Sequence, residues 1–176
     1  KNLIVSPGRH VRFKLYNGAA PPHQKTWNGL TVYEWNSVDV GEADNSSYVP
    51  SWYNPFIHVQ FSEYASWKEV AEWGMKINAM PPPGPALANK IAALKKAANG
   101  NKTSYLLQAL RFVQDDIRYM GIEMGEYSHR PNTPDKVLAQ RFGDCTDKAL
   151  LLCTILRANG IPASMAYVNT DRKGTI

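Results

Sequence analysis

The sequence predicts an α+β protein, with a partial antiparallel β-sandwich in its first half and helices in its second. Three observations carry this. Period-two alternation runs through Val11-Arg12-Phe13-Lys14-Leu15 and again from Ile57 to Phe61, the pattern of half-buried strands. After Leu87 the apolar residues recur at helical spacing instead. Between the two, Met80-Pro81-Pro82-Pro83-Gly84-Pro85 stops both patterns, because consecutive prolines form a stiff extended spacer. The predicted organisation is a β-rich domain over residues 1–80 ending in a helix, a proline hinge at 81–86, and a helical domain from 87 to 176.

Taken in order, Leu3 and Val5 mark a first strand and Val11 to Tyr16 a second. Asn17 to Thr26 holds Gly18, Pro21 and Pro22 and reads as loop. Asn28-Gly29 is a strong hairpin signal ahead of a strand from Leu30 to Trp35. Val38 to Ser47 is polar and turn-rich, and Phe56 to Phe61 is the next strand. All five tryptophans (Trp27, Trp35, Trp52, Trp67, Trp73) fall in this half. An aromatic platform for a sugar is conceivable, but core and hairpin packing is the commoner use of such residues. Ser66-Trp67-Lys68-Glu69 has the form of a capping box, opening a helix to about Asn78 with Trp67, Val70, Ala71 and Gly74 on one face.

Beyond the prolines, Leu87 to Ala98 is amphipathic and is stopped by Asn99-Gly100. Thr103 is expected to cap a helix whose Leu106, Ala109, Leu110, Val113 and Ile117 form one stripe. Tyr119 to Ser128 reads as glycine-punctuated loop. Thr133 as N-cap and Pro134 at N1 predict a short helix to about Arg141. Ala163 to Asn169 reads as a strand and Asp171 to Gly174 as a turn.

Between these lies Gly143-Asp144-Cys145-Thr146-Asp147-Lys148, running into Ala149-Leu150-Leu151-Leu152-Cys153-Thr154-Ile155-Leu156. Apolar residues on nearly every side make this a core helix. Asp144 is a good N-cap, and Asp147 stands where a capping-box acid would stand. Gly160 supplies the C′ position and Pro162 prevents continuation. Cys145 is thereby placed at or next to N1. There, free N–H groups and the macrodipole favour negative charge; the thiolate is the nucleophile of thiol chemistry, and the same N–H groups can stabilise an oxyanion. Cys153, two turns on, reads as an inert buried cysteine. The two thiols lie eight residues apart on one helix, about 12 Å along the axis, too far to pair.

This stretch, with Leu156-Arg157-Ala158-Asn159-Gly160-Ile161-Pro162-Ala163 behind it, resembles the transglutaminase-like core of the papain-like cysteine enzymes. Phe112 to Tyr119 and Tyr127 to Pro134 are similar to that family too, in particular to bacterial members with a β-rich domain ahead of the core. The likeness is close over about residues 103–170. It implies a thiol enzyme acting on amide bonds through a Cys145 thioester: a peptidase, an amidase or an acyl transferase. Its substrate would be a peptide or protein, with no cofactor and no metal. By the same resemblance Gln140, five residues before Cys145, is a possible oxyanion donor, while Asp144 and Asp147 support the helix rather than react.

A thiol enzyme also needs a base and a group to orient it, which the resemblance places after the cysteine, His first and then Asp. Here His10, His23, His58 and His129 all precede Cys145. His129 is the one histidine placed to approach the helix start, though a loop-ordering role is the ordinary reading. The chain is therefore expected to be a piece of a longer protein, incomplete at both ends and nearly inactive alone, with its partners beyond Ile176. The rival reading is a non-catalytic module that binds a peptide or glycan on the same fold.

Composition sets the outer bounds. With 176 residues, 44% hydrophobic and 20% charged, the chain has globular composition and enough length for one good core or two small ones. No apolar run approaches the ~20 residues that span a bilayer. The net charge of +5 is concentrated in residues 81–176. No aromatic-interleaved basic cluster appears, so a nucleic-acid partner is not expected. Export, to the periplasm or beyond, is implied by the resemblance alone.

Overall fold

The computed structural model describes residues 1–38, 41, 48, 50, 52–121 and 124–168. Most of the turn-rich stretch from Val38 to Ser47, and all of the Asp171 to Gly174 turn, lie outside them. The chain divides into two compact units: residues 1–70 with 168–176, and residues 71–167.

The first unit is antiparallel β. Strands β1 (Asn2–Val5), β4 (Leu30–Glu34) and β3 (His23–Trp27) form one sheet in the order β1-β4-β3, and β2 (Arg12–Tyr16) pairs with β5 (His58–Ser62) in another. The turn between β3 and β4 is Asn28-Gly29, both with positive φ (49° and 78°), the conformation that twists a two-residue hairpin correctly. The two sheets meet through aromatic rings. Phe13 of β2 packs edge-on against Tyr33 at 5.1 Å and Trp35 at 6.0 Å, and Trp35 contacts Phe61 at 5.4 Å.

Two expectations fail here. β3 lies, all but Trp27, inside the stretch read as loop: all five of its residues are exposed, so no alternation marks it, and its pairing with β4 alone makes it a strand. Nor are the tryptophans uniformly packed. Trp35 is, but Trp27, Trp52 and Trp67 are exposed, Trp67 by 73%. Trp67 therefore does not belong to the buried face of helix α1 (Trp67–Ile77), whose buried residue is Gly74. At the start of α1 the Ser66 hydroxyl accepts from the Glu69 amide, while the Glu69 carboxyl reaches back to Ala65.

The second unit is built from helices α2 (Pro85–Ala98), α3 (Lys102–Arg111), α4 (Pro134–Gln140) and α5 (Cys145–Arg157), with the two-residue strands β6 (Arg118–Tyr119) and β7 (Phe142–Gly143) in parallel. Leu87, Ile91, Leu94 and Ala98 form the buried stripe of α2 and meet Tyr105, Ala109, Phe112, Val113, Ile117, Val137, Leu151 and Ile155 in one core. α2 begins at Pro85, its preset φ suited to N1, and ends where Asn99 turns left-handed (φ 46°). The amide of its N-cap, Gly84, donates to the Asp135 carboxyl of α4 at 3.0 Å.

Helix α3 is capped by Asn101, which accepts from the Ser104 amide, and not by Thr103; the cap site falls two residues earlier because Asn101 already has extended φ/ψ. Its buried stripe is also displaced. Leu106 is 39% exposed, while Tyr105, Ala109, Phe112 and Val113 are buried. A π-turn over Phe112–Asp116 advances the register before Ile117. Residues 163–168 form no strand. There Tyr167 instead stacks on Trp73 and accepts a 2.6 Å hydrogen bond from Asn78.

Tyr105 is fully buried and donates its hydroxyl to the carbonyl of Ile155 at 2.8 Å, in the last turn of α5, where helix carbonyls run out of amide partners. Tyr105→Phe leaves that carbonyl unsatisfied and should cost about 1–3 kcal/mol. Burial also raises the phenol's pKa above 10.0. Below that value both folded and unfolded phenols keep their protons and the contribution is intact. Above it the unfolded phenol ionises first, so stability falls as pH climbs toward the folded value. Urea titrations at rising alkaline pH should show a steep loss for the parent and a shallower one for Tyr105→Phe.

Candidate active site

The turn into α5 is tied down from three sides. First, its capping box is complete: Asp144 accepts from the Asp147 amide at 2.9 Å, and the Asp147 carboxyl accepts from the Asp144 amide at 3.3 Å. The Thr146 hydroxyl adds a 2.9 Å bond to Asp144. Second, Asn132 reaches in from the loop before α4. Its backbone amide donates to Asp147 at 2.6 Å and its side-chain amide donates at 3.1 Å. Third, β7 pairs with β6, the Gly143 carbonyl accepting from the Met120 amide at 2.9 Å.

Asp144 and Asp147 are buried. Cys145, between them in sequence, is the first residue of α5 and is exposed. The amides of Cys145 and Thr146 precede the first intrahelical bond, which Lys148 makes to the Asp144 carbonyl, and have no acceptor among the described residues. An exposed sulfur and two unengaged donors thus share the mouth of one helix.

Gly143 is required by space. A Cβ there would lie 2.7 Å from the Cβ of Asp147 and 3.0 Å from its carboxyl oxygen. Behind the mouth, Lys148 donates to the carbonyls of Ile117 at 2.6 Å and Gln114 at 3.4 Å, so its ammonium closes the π-turn onto α5. At the far end, Gly160 takes a positive φ of 69°. The bonds from Ile161 to Leu156 and from Gly160 to Arg157 form a Schellman motif with Gly160 at C′.

Among the residues expected at the site, Asp144, Cys145 and Asp147 are together. Gln140 ends α4, and its side-chain amide donates to the Phe142 carbonyl at 2.8 Å. His129 packs its ring edge-on against Trp73 at 5.7 Å. Cys153 is buried, and burial pushes its thiol pKa up, only partly offset by Arg157. Asn132 and Lys148 are the participants that sequence reasoning missed. No local pattern marks either, since their partners lie 15 and 31 residues away. Among the described residues no cluster of His, Cys, Asp and Glu is placed to hold a metal, and no helix is long and apolar enough to cross a membrane.

A helix-borne cysteine at the mouth of a box-capped core helix, here framed by a short parallel strand pair, is what the sequence resemblance to a papain-like core leads one to expect. Residues 85–175 match the transglutaminase-like superfamily, and the chain belongs to that family. The solved structure of a Parabacteroides distasonis protein described as a "putative protease" superposes with a TM-score of 0.70 at 18% identity, over 92% of this chain and 32% of that one. The likeness is one of fold, and this chain spans about a third of that protein's length. A search of curated proteins found no match.

Proposed function

We propose that Cys145 is the nucleophile of a transglutaminase-like thiol enzyme that acts on amide bonds of peptides or proteins. The observation that carries this reading is the exposed sulfur at N1 of α5 beside two unengaged backbone donors. The thiolate attacks the amide carbonyl, the C–N bond breaks, and the amine departs with a proton from a general acid. A thioester remains on Cys145. Water then gives an acid, or a second amine gives a new amide. In this reading the Cys145 and Thr146 amides donate to the tetrahedral oxygen as it gathers charge. The general acid and base are the imidazole that the family places after the cysteine, and the four histidines of this sequence precede it.

An activated ester tests the nucleophile without that imidazole, because a phenolate leaves without being protonated. p-Nitrophenyl acetate should release a stoichiometric burst of phenolate and leave an acetyl group on Cys145, faster than glutathione reacts at the same pH. Cys145→Ala should remove the burst, and Cys153→Ala should keep it, since Cys153 is buried with a raised pKa and such thiols are inert. An acetyl group on Cys153, or a rate no greater than that of glutathione, would overturn the assignment and favour a binding module.

A further inference from the structure

We propose that the end of the second unit formed by the α2–α3 turn is a docking surface for anionic phospholipid bilayers. This is independent of the thiol chemistry. From Trp73 through Gln114 the sequence contains no Asp or Glu but six cations, Lys76, Lys90, Lys95, Lys96, Lys102 and Arg111. Lys90 is engaged, its Nζ 4.0 Å over the Phe112 ring. Lys95 and Lys96 lie in the last turn of α2, where the macrodipole welcomes them. Lys102 is different. It is the first residue of α3, where the macrodipole opposes a cation, and no acid in that turn balances it. Helix stability gives no reason for a lysine there.

Lys95, Lys96 and Lys102 are exposed on either side of the Asn99–Asn101 turn, and none makes an ion pair with a described residue. The Tyr105–Ile155 hydrogen bond brings the C-terminal turn of α5, with Arg157, to the same end. Five acids lie at the other end: Asp135 of α4, bonded to the Gly84 amide that caps α2, Asp115 and Asp116 after α3, and Asp144 and Asp147 at the start of α5. One turn beyond Lys102, Leu106 and Leu107 are 39% and 45% exposed.

Lysines attract the anionic headgroups, and exposed leucines can enter the boundary beneath them. A nucleic acid fits less well, since Tyr105, the sole aromatic residue of α2 and α3, is fully buried and offers no base a stacking face. Because α5 runs about 20 Å from this end, Cys145 would open on the side turned away from the bilayer.

Cosedimentation tests the proposal. The protein should bind phosphatidylglycerol–phosphatidylcholine vesicles, lose binding as salt rises, and ignore pure phosphatidylcholine. At about five-fold per cation, the triple variant Lys95→Gln/Lys96→Gln/Lys102→Gln should bind roughly a hundred-fold more weakly. Lys102→Gln alone should weaken binding while raising the melting temperature slightly, a split that a structural role would not produce. Leu106→Ser/Leu107→Ser should weaken binding several-fold and leave the salt dependence unchanged. Equal binding to neutral vesicles, full binding by the triple variant, or tighter binding to a single-stranded oligonucleotide would overturn it.

Discussion

Asp147→Ala should be among the most damaging single substitutions in the second unit, costing about 3–4 kcal/mol. Asp147 is 3% exposed, and its carboxyl accepts from the backbone and side-chain amides of Asn132 and from the Asp144 amide. Alanine strands those donors, and each buried donor left unpaired costs about 1–3 kcal/mol. For a unit of this size the melting temperature should fall by more than about 10 °C. Asp147→Asn keeps the shape but turns an amide N–H₂ toward donors, so it should fall between the parent and alanine. Thermal unfolding followed by circular dichroism decides the matter. A shift under about 2 °C for Asp147→Ala would mean that the network contributes little.

Gly143→Ala should cost about 2–3 kcal/mol for a reason unrelated to conformational freedom. The φ of Gly143 is not positive, and the added methyl group fails for lack of space, 2.7 Å from the Cβ of Asp147. Neither side can yield cheaply. Gly143 is held in β7 against β6, and Asp147 is held by its three donors. The strain should appear as separation of β7 from β6, so amide exchange at Met120, which donates to the Gly143 carbonyl, should accelerate along with the drop in stability. Asp147→Asn should not rescue it, because the clashing Cβ remains. Unchanged exchange at Met120 would show that the methyl group is absorbed elsewhere.

What was legible in the sequence was local. The Asp144 cap, the Asp147 partner, Gly160 at C′, the Thr133–Pro134 start of α4 and the Asn28-Gly29 hairpin each involve residues within a few positions of one another. Backbone geometry at that range follows from residue type. What escaped reading depends on distant partners. β3 is a strand only because β4 lies beside it, and its fully exposed residues show no alternation. The stripe of α3 is shifted by a π-turn that no spacing rule announces. Asn132 and Lys148 reach the site across the fold. Residues 163–168 have strand-like composition, but Tyr167 is bound to Trp73 and Asn78 rather than to a ladder.

The β6–β7 pair has a consequence for how such chains can vary. It fixes Tyr119 beside Gly143, and Asn132 is bonded to Asp147, so the loop between Tyr119 and Asn132 has both ends already held. For such a loop, doubling the length costs only about 0.6 kcal/mol in closure entropy. Extra residues inserted after Gly121 would thus be cheap, and would leave the Cys145 turn where β6, Asn132 and Lys148 hold it. New surface could be added beside the thiol without disturbing it.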